Sequence, residues 1–222
     1  RFEYSIKARN HEQEFDIVSE EHGTYLLNSK DLCLIEYLPQ LIKAGVSSFK
    51  IEGRAKSVYY QACVSGIYAR ALDFLKKNKN KTAIEKELKH LKSELVDKLV
   101  HRGYTTGFLL GGKGEQNITS ANHLSDWEFC GQVLLPQKKW FKPELALQEK
   151  PLYFLVHNTV KIGDKIEIIT PKYGIIKLTL KKMVDVKTGE SLSEAHGGGG
   201  AKTVAISIKE DVPEFSVLRR KK

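Results

Sequence analysis

Residues 25–60, YLLNSKDLCLIEYLPQLIKAGVSSFKIEGRAKSVYY, decide how the rest of the chain is read. The stretch reads as strand, turn, helix, strand, turn, helix. The first strand closes on Asn28, Ser29, Lys30 and Asp31. The second, Ser47–Gly53, carries Lys50 and Glu52 and leads into Arg54. In a parallel β/α architecture, chemistry sits at the carboxyl ends of the strands. Side chains alternate along a strand, so Phe49 and Ile51 share one face and Lys50 and Glu52 the other. A parallel strand covered by helices is normally apolar on both faces, so charges there must be paired or used. That makes Lys50 and Glu52 the catalytic candidates; a solvated strand end with one ion pair is the plainer alternative. Gly53 permits a tight turn, after which Arg54 and Lys56 precede a helix and are suited to an anion.

Upstream, Phe2, Tyr4 and Ile6 alternate, as do Phe15 and Ile17, with the polar residues Asn10 to Gln13 between them, which predicts a hairpin with His11 in its loop. Glu20, Glu21 and Gly23 then turn the chain into a strand over residues 24–28. Ser29 and Asp31 are expected to cap the next helical turn. Pro39 limits that turn to residues 31–38, with a helix restarting near Pro39 and closing at Gly45. Cys33 falls in the turn. A lone cysteine is most often a small buried hydrophobe; a ligand or nucleophile is the alternative.

Downstream, Ser57 opens a long helix whose buried face is Val64, Ile67, Tyr68, Ala71, Leu72 and Leu75, with Cys63 packed inside. A basic run from Lys76 to Lys81 reads as a solvated connector. Thr82 and Glu85 have capping-box spacing ahead of a seam of Ile84, Leu88, Leu91, Leu95 and Leu99. The glycine-rich HRGYTTGFLLGG, residues 101–112, matches no Walker or dinucleotide spacing. After a polar loop the pattern changes at Trp127 to short strands: 128–135, 152–157, 165–170, 174–181, 203–208 and 215–218. Turns lie at 162–164, 171–173 and 187–190. Gly197–Gly200 reads as a flexible loop, and the terminal RRKK as a disordered basic end.

Two hundred and twenty-two residues suffice for one large or two small domains, and 41% hydrophobic with 28% charged residues is a globular composition. No apolar run approaches the roughly 18–20 residues a bilayer-crossing helix needs, so no membrane partner is expected. A net charge of +9 suits an acidic partner, nucleic acid being the usual one, although net charge locates no patch. Cys33, Cys63 and Cys130 are odd in number and widely spaced, with no CxxC, which points to a reducing compartment and a cytoplasmic protein. No HExxH helix or GxSxG elbow is present. The chain opens at Arg1 rather than Met, which reads as part of a longer protein.

Residues 28–60 resemble the collagenase-like peptidase family U32, and HRGYTTG, residues 101–107, resembles a second motif of that family. SDWEFCGQV, residues 125–133, and GDKIEIITP, residues 163–171, are similar to parts of the family's C-terminal domain. Ala55 stands where the family usually has Met. The resemblance implies an α/β plus all-β chain. Residues 1–112 would be the last β/α units of a TIM-like barrel, 113–126 a linker, and 127–222 a small antiparallel β-barrel. It also implies a missing N-terminal half that supplies most of the site.

Two activities follow from the resemblance: a protease acting on collagen-like protein substrates, or hydroxylation of RNA at a tRNA wobble uridine or in rRNA, using prephenate-derived chemistry. The RNA reading makes Lys50 and Glu52 catalytic, with Glu52 orienting a substrate hydroxyl or acting as general base. Asn28, Ser29, Asp31, Arg54, Lys56, Tyr60, Arg102 and Tyr104 become substrate-binding, and the basic β module would hold RNA backbone. Some relatives carry an iron–sulfur cluster, which would make Cys33 a metal ligand in the full-length protein, with no cofactor expected in this chain alone. The isolated chain would then be a binding module, and its open half-barrel could form a homodimer.

Overall fold

The computed structural model describes residues 3–7, 14–20, 23–25, 29–111, 115, 117, 124–137, 147, 150–198 and 202–222. Asn28, His11, most of the 113–126 connection and Gly199–Gly200 lie outside the described residues.

The alternating N-terminal segments form the expected hairpin: β1 (Glu3–Lys7) pairs antiparallel with β2 (Glu14–Glu20), which pairs with β3 (Gly23–Tyr25). The two-residue strand β4 (Asp31–Leu32) then pairs in parallel with β5 (Tyr104–Thr105). Between them run a 3-10 turn (Ile35–Tyr37), α1 (Leu38–Lys43), α2 (Val58–Lys77) and α3 (Lys81–Lys98). Pro39 sits in the first turn of α1, where a missing N–H is harmless, and Gly45 ends it at φ 95°. Ser57 Oγ caps α2 by accepting from the Tyr60 amide at 3.2 Å.

Three local expectations are corrected. Residues 47–53 form no strand: a strand exists only against a neighbour, and no described strand pairs with them, the β4–β5 sheet having two strands. The cap of α3 is Asn80, whose side chain accepts from the Ala83 amide at 3.0 Å, so Thr82 lies inside the helix. Asn is the better N-cap of the two. Neither Ser29 nor Asp31 caps a helix; Asp31 is a strand residue whose amide donates to the Gly103 carbonyl at 2.8 Å.

The C-terminal module comprises β6 (Trp127–Leu134), β7 (Lys150–Val156), β8 (Val160–Lys161), β9 (Lys165–Ile169), β10 (Ile175–Thr179), β11 (Met183–Asp185), β12 (Ser191–Leu192), β13 (Glu194–Ala195), β14 (Thr203–Ile208) and β15 (Val217–Lys221). Eight of these form one antiparallel sheet in the order β10-β9-β15-β6-β7-β14-β11-β12, with β13 and β8 paired beside it. Alternate residues Leu152, Phe154, Val156, Ile166, Ile168, Val204, Ile206 and Leu218 meet in one core, which requires the sheet to curl around it. On the opposite face Phe129, Ile169, Ile175 and Val217 pack on the core of the helices. The sheet is therefore buried on both sides where α2 and α3 cover it. Gly66 is where α2 comes closest: a Cβ there would stand 3.1 Å from the Pro171 carbonyl oxygen.

The terminal RRKK is a fourth correction. Arg219, Arg220 and Lys221 belong to β15, and Arg219 is fully buried. Its Nε and Nη2 donate to Glu167 Oε2 at 3.0 and 2.8 Å, Nη2 also to Glu94 Oε2 at 3.0 Å, and Nη1 to the Tyr173 hydroxyl at 3.0 Å. Tyr173 in turn donates to Glu94 at 2.8 Å from a backbone with φ 56°, a conformation held by these contacts. Lys98 Nζ reaches Glu94 Oε1 at 2.9 Å. Burial alone would raise the Glu94 carboxyl, but hydrogen bonds from Lys98 and Tyr173, with the Lys98 and Arg219 charges, bring it below its ordinary range. Buried charges persist only when paired in this way.

Candidate functional site

The parallel pair of β4 and β5 sets Asp31 beside Arg102, and the start of α2 brings Lys56 and Tyr60 to the same place. Arg102 donates to Asp31 Oδ1 through Nε at 3.0 Å and Nη2 at 2.7 Å. Lys56 Nζ donates to Oδ2 at 2.9 Å and lies 4.7 Å from the centroid of the Tyr60 ring. Asp31 is buried, and burial alone would raise its carboxyl; the hydrogen bonds from Lys56 and Arg102 outweigh that and hold it below its ordinary value. The same burial, with the Asp31 charge, pushes the Tyr60 hydroxyl up. A carboxylate committed to two cations positions them; it is not a ready proton carrier.

This cluster forms one wall of a cleft of about 650 Å³. Lys30, Lys50, Arg54, Lys56 and Arg102 bring cations to it against the carboxylates of Asp31 and Glu52, while Leu38, Phe49, Val64 and Tyr68 supply apolar surface. Lys50 and Glu52 are at its open side, 86% and 70% exposed, with Nζ 3.8 Å from Oε2. Glu52 Oε1 accepts from the Arg54 amide at 3.2 Å. The Arg54 guanidinium is exposed and makes no ion pair among the described residues. A fork with five unused donors beside Lys56 suits a carboxylate or a phosphate.

Other sequence candidates fall elsewhere. Ser29 is exposed and does not line the cleft, nor does Tyr104, whose ring stacks on His101 at 4.3 Å and whose hydroxyl donates to the Leu95 carbonyl at 3.4 Å. Asn28 is outside the described residues. Cys33 is 6% exposed, within the helical core, its Sγ 3.8 Å from the Tyr68 hydroxyl. Among the described residues no three His, Cys, Asp or Glu side chains come together as metal ligands. An iron–sulfur cluster takes several thiolates, so the other ligands of a cluster on Cys33 would come from outside this chain.

From the sequence, His101 is a candidate only as a metal partner of Glu52, a pair too small for a site. It is buried; Nδ1 accepts from the Gly103 amide at 2.9 Å, which assigns the proton to Nε2, facing the Val96 carbonyl at 3.1 Å. It fixes the turn that presents Arg102. The sequence signal is the His-Arg-Gly order, with Gly103 at φ 86°.

Residues 1–119 match the family profile described as Peptidase family U32, and residues 125–219 match that of the Peptidase family U32 C-terminal domain. The chain belongs to peptidase family U32. It is 36% identical over 205 residues to tRNA hydroxylation protein P of Escherichia coli (strain K12), covering 90% of this chain and 41% of that protein. With tRNA hydroxylation protein P of Haemophilus influenzae it shares 30% over 218 residues, 96% of this chain and 43% of the relative. With the Collagenase of Porphyromonas gingivalis it shares 26% over 219 residues, 98% of this chain and 48% of the relative. The chain thus spans less than half the length of these relatives.

Proposed function

We propose that the protein containing this chain hydroxylates RNA in the cytoplasm, at a tRNA wobble uridine or in rRNA. The chain contributes the last β/α units of a TIM-like barrel, a linker and a small β-barrel, with the remainder of the site supplied by the rest of the protein. The reading is carried by the cation-lined cleft around Asp31 in a chain whose relatives are named for tRNA hydroxylation along 90% and 96% of its length. Asp31 holds Lys56 and Arg102 in place; Arg54 and Lys56 bind the anionic groups of substrate; Lys50 and Glu52 act at the open side, Glu52 on a substrate hydroxyl. Tyr60 bounds the same cleft.

The collagenase relative raises the protease reading. A hydroxyl–imidazole–carboxylate series does occur: Thr159 Oγ1 is 3.1 Å from His196 Nδ1, and His196 Nε2 is 3.3 Å from Glu194 Oε1. His196 is 71% exposed, and acyl transfer works in a water-excluded site with fixed oxyanion donors. The RNA reading is therefore preferred.

Mass spectrometry of nucleosides from a strain lacking the full-length gene tests it. Loss of a hydroxylated nucleoside, restored by the intact gene, is the expected result; an unchanged profile overturns the reading.

A further inference from the structure

A second groove lies on the β module, away from the Asp31 cleft. Lys177, Glu167 and Arg219 are register partners across β10, β9 and β15, and Lys221 is the partner of Trp127 on β6. Residues two apart on a strand share a face, so Lys165, Thr179 and Lys221 continue the face on which Glu167, Lys177 and Arg219 stand. Trp127, Lys165, Glu167, Lys177, Thr179 and Lys221 line a cavity of about 450 Å³. Its one carboxylate, Glu167, is engaged by Arg219 at 2.8 Å, with Lys177 at 3.5 Å. Lys165 and Lys221 are exposed and have no carboxylate partner among the described residues. Like charges on neighbouring strands repel, and a bound anion relieves that repulsion.

We propose that this groove binds the sugar–phosphate backbone of single-stranded RNA, with phosphates on Lys165, Lys177 and Lys221 and a base against Trp127. The combination of a cationic groove with an aromatic wall is the one that holds single strands without reading sequence. Lys98 Nζ and the Arg219 guanidinium stand over the Trp127 ring, 4.5 and 4.8 Å from its centroid, and hold that wall in place. The proposal rests on the RNA reading above and adds a site to it: the cleft at Asp31 takes the reacting group, and this groove takes the strand.

The test uses the whole 222-residue chain and a fluorescently labelled single-stranded RNA about 12 nucleotides long. Binding is followed by anisotropy from about 50 to 200 mM salt. The triple reversal Lys165→Glu, Lys177→Glu, Lys221→Glu is expected to weaken binding at least about 100-fold and to lower the salt slope by about 2. A matched reversal at the exposed Lys79, Lys86 and Lys89 changes net charge equally and is expected to weaken it less than about threefold. Should the groove triple not fold, the double Lys165→Ser, Lys221→Ser is expected to weaken binding about tenfold. Equal losses from groove and control variants overturn the proposal. So does no binding by the unaltered chain, or equally tight binding of a poly-glutamate chain. RNA binding that needs the groove, with nucleosides unchanged by gene deletion, would retain the groove and remove the hydroxylation reading. Nucleosides that depend on the gene, with RNA binding indifferent to the groove, would do the reverse.

Discussion

Arg219 Nη2 lies 3.0 Å from Glu94 Oε2, joining the last strand of the β module to the third helix across 125 residues of sequence. Glu167 completes the pairing from the neighbouring strand. Removing one member of a buried ion network leaves the others charged and unsolvated, at a cost of about 3–5 kcal/mol. Arg219→Ala is therefore expected to lower the urea midpoint sharply, and Arg219→Lys to recover only part of it, because an ammonium cannot make the forked contacts. A midpoint shift within error for Arg219→Ala would show that the joint does not hold the two parts together.

Acid sensitivity follows from Asp31 and Glu94, whose folded carboxyls lie below the ordinary values of 3.8 and 4.5. In that window the unfolded chain binds more protons, so lowering pH favours unfolding. The stability they contribute is present above those ordinary values and is lost as pH falls through the depressed folded values. Thermal midpoints should be flat above about pH 5 and decline below it. Asp31→Asn should lower the midpoint at neutral pH and make the acid decline shallower; an acid limb of unchanged slope would contradict the assignment.

Gly131 makes a steric prediction. A Cβ there would stand 2.3 Å from the Leu155 carbonyl oxygen and 2.8 Å from Phe154 Cδ2, so β6 and β7 would have to part. Gly131→Ala should destabilise the chain by about 1–3 kcal/mol or prevent soluble expression. Wild-type melting of this variant would mean the strands pack less closely than described.

Legibility in the sequence tracked how local each interaction is. The first hairpin, the Ser57 cap, the Pro39 restart and most strands of the β module depend on neighbours a few residues away, and the pattern announces them. The segment 47–53 has strand composition, but pairing is a property of two segments, and among the described residues no strand pairs with it. The terminal RRKK reads as a solvated tail because its partners, Glu94 and Glu167, are remote. At the cleft, Asp31, Arg54 and Lys56 were legible from one short stretch. That Arg102 would bind Asp31 from 71 residues away was not, although both had been picked out. Cys33 was legible as a buried thiol, and it lies in the helical core with its Sγ 3.8 Å from the Tyr68 hydroxyl.

The central claim is that the cleft around Asp31 serves RNA hydroxylation, and Arg54 is its unpaired cation among the described residues. The most direct measurement is mass spectrometry of nucleosides from a strain lacking the full-length gene, complemented with the intact gene, with Arg54→Glu, or with Lys79→Glu as a surface control. The hydroxylated nucleoside is expected to return with the intact gene and the control, and to fall at least about tenfold with Arg54→Glu at equal protein level. Full restoration by Arg54→Glu would contradict the claim.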